Sequence, residues 1–536
     1  MRRILFLCGW LSLAATSVEG VAVPLPGPEG GSAEAPTLQA RAPAASRSLD
    51  RAVFMFLRKR GIPHAGTCPD HVFLRRAYLD LGGRLPTLEE CKRFLEDEKP
   101  GKRAALIDEL LARREFADLW AMRWCDVLRV KSEFPINLWP NAVQAYYQWV
   151  WTSLRENKPY DRFVRELLTS DGSNFRVPPV NFYRALQSRD PRSIAKAVAL
   201  TFMGARAEKW PKGRLDAMAM FFSRIAYKRT AEWKEEIVYF DATRPPPGEG
   251  KDEVEPIFPD GRKARIEPGR DPRAVFADWL IRKDNPWFAK ALVNRVWAWL
   301  FGRGVVHEAD DLRPDNPPSN PALLDALAKT FTDSGYDLHA LLRAILNSRV
   351  YQQDSIPPSQ EAADESLFAC YPIHRLDAEI LIDALCDLTG TRERYSSVIP
   401  EPFTWIPPSL GAIRIPDGSI SSPTLEVFGR PPRDTGVMSE RSSKVTADQR
   451  LQLLNASRTI LKIERGTLLR PILRNLRRNP RRAITELYLR ILSRYPDQEE
   501  LRLLDGIDMK NWRARRDALV DLAWALINSA EFQFQH

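Results

Sequence analysis

Histidine and cysteine are scarce in this chain, six of each among 536 residues. So few imidazoles and thiols leave little material for a metal centre, and no two cysteines are spaced Cys-x-x-Cys. Outside the first residues there is no run of about 18 apolar residues, which excludes a polytopic membrane protein. Collagen-like and coiled-coil repeats are also missing. So are Gly-x-Ser-x-Gly, His-Glu-x-x-His and a Walker loop. Gly302-Arg-Gly304 lacks the third glycine of a glycine-rich loop and reads as a tight turn.

What is present is a globular composition, 44% hydrophobic and 28% charged, with a net charge of +10. The length allows two or three domains, each with a full core. Arg2 and Arg3, the short apolar stretch Ile4 to Ala15, and small residues at Ser17, Gly20 and Ala22 read as an export signal; a membrane anchor is the alternative. The mature chain is expected in the periplasm or outside the cell, with no transmembrane helix. Removing Cys8 leaves Cys68, Cys91, Cys125, Cys370 and Cys386, an odd number, so at least one thiol stays free or pairs with another chain. Most are expected to be buried as small apolar residues. Between Arg458 and Arg482 nine basic residues accompany one acid, Glu464. That stretch is either a solvated helix face or a surface for acidic glycan or anionic lipid. Nucleic acid is not expected outside the cytoplasm.

The pattern predicts a mainly α fold: signal at 1–22, flexible linker at 23–47, a helical domain at 48–234, a β-hairpin and linker at 235–270, and a second helical domain at 271–536. Thr87-x-x-Glu90 is a capping box, Asn320-Pro321 and Asp337 are helix starts, and Trp120 and Trp124 share one helix face. Glu236 to Asp241 has strand character, Pro259-Asp-Gly261 is a turn between two short strands, and His374 to Asp387 reads as a helix. Ser396 to Thr424 is a long Pro- and Ser-rich loop. Tyr78 to Glu90 aligns without a gap to Tyr488 to Glu500, and each segment leads to a helix ending in Glu-Phe, at Glu115-Phe116 and Glu531-Phe532. This predicts one helix–turn–helix unit at both ends of the chain; the stronger form of the prediction packs the two copies together. The alternative is a pair of generic capped helices.

Few residues carry chemistry. His64, Cys68 and His71 have metal-like spacing, but Asp70 is the only nearby fourth donor and reads better as a helix cap. No metal or other cofactor is expected. His307 near Asp310 and Asp311 suits acid/base work, or else the two acids order a loop through Arg303 or Arg313. Three further clusters are unusually polar: Asn294-Arg295, Arg375 with Asp377 and Glu379, and Arg430, Arg433, Glu440 and Arg441. They form either an Arg-, Asp- and Trp-lined cleft or an internal ion-pair lattice that fixes the long loop.

Several stretches are distinctive together: Phe73 to Thr87, Ala291-Leu-Val-Asn-Arg-Val-Trp297, Phe301-Gly-Arg-Gly304, Asn316-Pro-Pro-Ser319, Ile345 to Gln352 and Phe428-Gly-Arg-Pro-Pro-Arg433. With them the chain resembles a secreted two-domain planctomycete family, a cytochrome-associated domain followed by a planctomycete-specific domain, both of unknown function. The resemblance implies a Cys-x-x-Cys-His haem motif after a segment like Leu200 to Arg206. This chain runs instead through Gly204-Ala-Arg-Ala-Glu-Lys-Trp-Pro211, without thiols or histidine. The expectation is therefore an exported scaffold or binding protein for an acidic glycan or envelope protein, without covalent haem. The alternatives are a polysaccharide-acting enzyme using Asp310, Asp311 or His307, and an accessory to a separate cytochrome.

Overall fold

The computed structural model describes residues 43–244, 255–454, 457–476, 478–502 and 511–536. The export signal, residues 23–42 of the linker, Pro245 to Gly250 and Arg477 lie outside the described residues. The rest is mainly helical, with two small antiparallel sheets. No helix among the described residues is long and apolar enough to cross a membrane.

Helix starts follow local chemistry. Thr87 and Glu90 close the predicted capping box, Asn320 caps Pro321–Asp333, and Asp337 caps Leu338–Leu346. Each cap satisfies a backbone N–H that the helix itself leaves orphaned. Asp70 departs from its expected role. Pro69 occupies the cap position, and Asp70 sits in the first turn holding Lys102 and Arg103 at 2.7 Å each.

The hairpin lies earlier than the sequence suggested. Ile225–Arg229 pairs with Glu236–Phe240, and Gly172–Ser173 adds a third strand on the other side. Lys228 and Arg229 hid the first strand, because only its Ile225–Ala226 end is buried. Pro259-Asp-Gly261 does make a tight turn, but its flanks share a single isolated bridge, Ile257 with Lys263. His374–Arg375 is likewise a strand, paired with Phe534–Gln535, and the helix begins only at Ala378.

One continuous apolar core runs through both halves of the chain. Trp120 and Trp124, on helix Arg114–Val127, pack edge-on against Trp299 of helix Phe288–Phe301, with centroids 5.6 and 6.2 Å apart. Tyr160 stacks on Phe288 at 4.9 Å. Such contacts hold the two halves in fixed register, which positions everything that lies between them. The five described cysteines are free thiols, four of them buried.

The two end units match in detail. Helices Asp70–Gly82 and Pro480–Leu492 both end on a left-handed residue, Gly83 and Ser493. Arg84 then grips Glu90 with two bonds of 2.9 and 2.8 Å, and Arg494 grips Glu500 with two of 2.8 Å. Thr87 and Asp497 make equivalent capping boxes. Arg84 reaches Glu115 at 3.4 Å and Arg494 reaches Glu531 at 2.6 Å; these two Glu-Phe pairs do not end a helix as expected but open the next ones, Arg114–Val127 and Ala530–Gln533. The copies also touch: Arg75 donates to the carbonyls of Ile491 and Phe532, at 3.0 and 2.7 Å.

Candidate functional site

Most of the polar residues singled out in the sequence form a buried lattice. Arg295, fully buried, binds Asp310 at 2.5 Å and donates to the carbonyl of Thr201. The second oxygen of Asp310 accepts the Met438 N–H at 2.6 Å. Asp310 thus pairs with Arg295, not with Arg303 or Arg313; Asp311 does pair with Arg313, at 2.8 Å, and with Lys209 at 2.9 Å. Burial would raise Asp311, but those two cations hold it below the usual carboxylate range. Asn294 only braces the chain, bonding both ways to Val306. His307 is exposed and lies outside both cavities described below.

The lattice centres on Arg441. Its guanidinium meets Asp126 at 2.7 Å, Glu379 at 2.6 Å and Asp377 at 3.5 Å. Asp126 also takes Arg433 at 2.8 Å, while Arg430 lies 3.4 Å from Glu379. Burial opposes the charge on Glu379, yet Arg441 and Arg430 hold its carboxyl well below the usual carboxylate range. Arg430 and Arg433 spend their remaining donors on carbonyls of the long loop, at Ile420, Asp417 and Pro416. Arg375 donates to the carbonyls of Phe428 and Ser442, beyond that loop. The Arg430 and Arg433 contacts help fix the stretch Ser396 to Thr424, which is a loop except for one 3-10 turn at Ala412–Arg414 and the helix Pro423–Val427 that begins before its expected end.

Three of the predicted residues, Arg375, Asp377 and Arg441, line a cavity of about 150 Å³ between the two halves. Arg123 and Asp126 from helix Arg114–Val127, Trp299, His374 and Gln535 complete its polar wall. Arg123 is 5% exposed, and its Nε and Nη1 have no hydrogen-bond partner. Its guanidinium lies over the Trp120 and Trp299 rings, at 5.3 and 5.9 Å. Burial depresses its pKa, with Asp377 and Asp80 pulling the other way. A buried cation in this condition is costly unless something anionic or polar meets it. Sequence reasoning missed both Arg123 and Asp126. They sit three residues apart in a helix read only for its tryptophans, and that polar pair inside an aromatic stretch was the available signal.

Across the loop Pro431 to Arg441 lies a larger cleft of about 790 Å³. Glu440, the remaining predicted residue placed at a cavity, is on its wall and accepts the N–H groups of Asp434 and Thr435. Gly436 lets the loop press against the first half: a Cβ there would lie 2.6 Å from the Val127 carbonyl. Leu200, Arg206 and Glu208, from the segment where the resemblance places a haem motif, also line this cleft. No cysteine, histidine or methionine lines it, so its donor set does not fit a covalently held, axially ligated haem. Among the described residues no group of three metal-ligating side chains forms either. His64 is packed on Phe54 instead.

No match was found among curated proteins or among solved structures. Two family models do match, in the order of the two halves. PSCyt2, protein of unknown function (DUF1549), matches residues 48–212, and PSD1, protein of unknown function (DUF1553), matches residues 272–507. The chain therefore belongs to the planctomycete-type family in which these two domains of unknown function follow one another.

Proposed function

We propose that this protein is an exported, non-catalytic binding protein that holds an acidic group of a glycan or envelope protein in the cavity lined by Arg123, Arg375, Asp377, Arg441 and Trp299. The observation that carries this reading is Arg123, a buried guanidinium over an aromatic ring with two donors unpaired. Arg441 spends its donors on carboxylates and Arg375 spends both terminal nitrogens on carbonyls, keeping one unpartnered donor against the two of Arg123, so Arg123 is the better placed to meet an incoming oxyanion. The rival acid/base reading has less support. Asp310 is saturated by Arg295 and the Met438 N–H, and Asp311 by Lys209 and Arg313.

The test is a glycan array probed with the full chain and with Arg123→Met. Binding confined to acidic glycans is expected, with a subset of them lost in the variant. Binding that ignores ligand charge, or an Arg123→Met variant that keeps every acidic glycan the full chain binds, would refute the reading.

A further inference from the structure

The larger cleft across the loop has its own unpaired donors. Arg129, 3% exposed, gives its Nε to the Ala185 carbonyl at 2.8 Å, but its Nη2 is buried without a partner. Arg206 reaches Glu308 at only 3.5 Å, and its Nε is also buried and unpartnered. Lys196 is exposed on the same wall and makes no ion pair among the described residues. Of the three acids lining the cleft, Asp434 is held by Lys131 at 2.6 Å and Glu440 by two backbone N–H groups. Only Glu208 opposes the three cations without a partner of its own among the described residues. Between the charges, Leu186, Ala197, Leu200 and Val437 supply apolar surface, while Ser188, Ser193 and Ser439 supply hydroxyls.

We infer that this cleft binds a short acidic oligosaccharide of the uronate class. Its carboxylates meet Arg129, Lys196 and Arg206, its hydroxyls meet the serines, and its ring faces lie on the apolar floor. The volume falls within the ~300–1,000 Å³ typical of pockets for ligands of this size. Spaced cations select a ligand with more than one carboxylate, since each charge-assisted bond contributes separately. The cleft works independently of the Arg123 cavity.

Calorimetric titration of the full chain tests it, with three probes: trigalacturonate, its fully methyl-esterified trimer, and haemin, a dicarboxylate of different shape. Trigalacturonate is expected to bind, and the uncharged ester to bind at least about tenfold more weakly. Lys196→Ala/Arg206→Ala, both outside the core, should weaken the acid by about tenfold or more without moving the melting temperature. Arg123→Met should leave this affinity unchanged, which separates the cleft from the cavity. Equal binding of the ester, an unaffected double variant, no binding of the acid, or displacement of the acid by haemin would each overturn the inference. So would an Arg123→Met variant that loses the trimer.

Discussion

Arg123 and Arg441 show how differently two neighbouring guanidiniums can be treated. Arg441 faces Asp126, Glu379 and Asp377, and its charge is fully compensated. Arg123, which lines the same cavity, has no ion pair among the described residues. Replacing an uncompensated buried charge by an apolar side chain of similar length removes a desolvation cost. Arg123→Met should therefore raise the stability of the ligand-free protein, by about 1–4 kcal/mol, while removing the stabilisation by those acidic glycans that the variant no longer binds. Thermal melts with and without ligand check both halves of that statement; a variant less stable than wild type would contradict it. His374, in the same cavity, provides a pH test. Burial pushes its imidazole down to about 4, with its bond to the Pro372 carbonyl and Asp377 opposing and Arg123 and Arg76 assisting. The unfolded chain then binds a proton that the folded one refuses between about pH 6.5 and 4, so stability falls as pH drops through that window. His374→Gln should flatten this part of the acid limb, by about 1–3 kcal/mol, as read from denaturant melts at about pH 7 and about pH 4.5.

At the scale of elements, the repeated unit shows what is legible in a sequence. Caps, the Arg-to-Glu clamp and the left-handed helix end are all set by residues within about a dozen positions. Tyr78 to Glu90 and Tyr488 to Glu500 therefore align on residue type alone, and both fold alike. Strand His374–Arg375 was not legible, because its partner Phe534–Gln535 lies far along the chain and only tertiary pairing makes it a strand. The two copies differ at one informative position. Gly83 has φ +64°, and a Cβ there would sit 2.6 Å from Ile413 Cδ1; its counterpart Ser493 holds φ +62° with a side chain in place. Gly83→Ser should thus cost about 1–3 kcal/mol through overpacking and a disfavoured backbone. Ser493→Gly relieves the same backbone and should be neutral or stabilising by up to about 1 kcal/mol. Equal losses in chemical denaturation for the two exchanges would show that the units are not equivalent.

Across the whole molecule, the ion-pair lattice is legible in its residue types but not in its centre. Arg433 and Arg441 announce themselves in a polar, proline-rich stretch, whereas Asp126, which joins them, is one acid in an aromatic helix far earlier in the chain. That separation conceals it from local reading, and is also why it matters. Asp126 belongs to the first half and its two arginines to the second, so this carboxylate ties the halves where the apolar core already joins them. Removing it leaves Arg433 and Arg441 buried with less compensation, although Arg441 keeps Glu379 and Arg433 keeps the Pro416 carbonyl. Asp126→Ala should therefore cost about 3–5 kcal/mol, the usual penalty for orphaning a buried charge. Because the core is continuous, circular dichroism and tryptophan fluorescence should report the same lowered midpoint, not two separated transitions. Asp126→Leu combined with Arg433→Met removes one charge of each sign, and should recover at least about half of the loss. If the double variant is as unstable as the single one, Asp126 acts mainly by orienting Arg441; if the two probes separate, the halves melt independently and the lattice does not couple them.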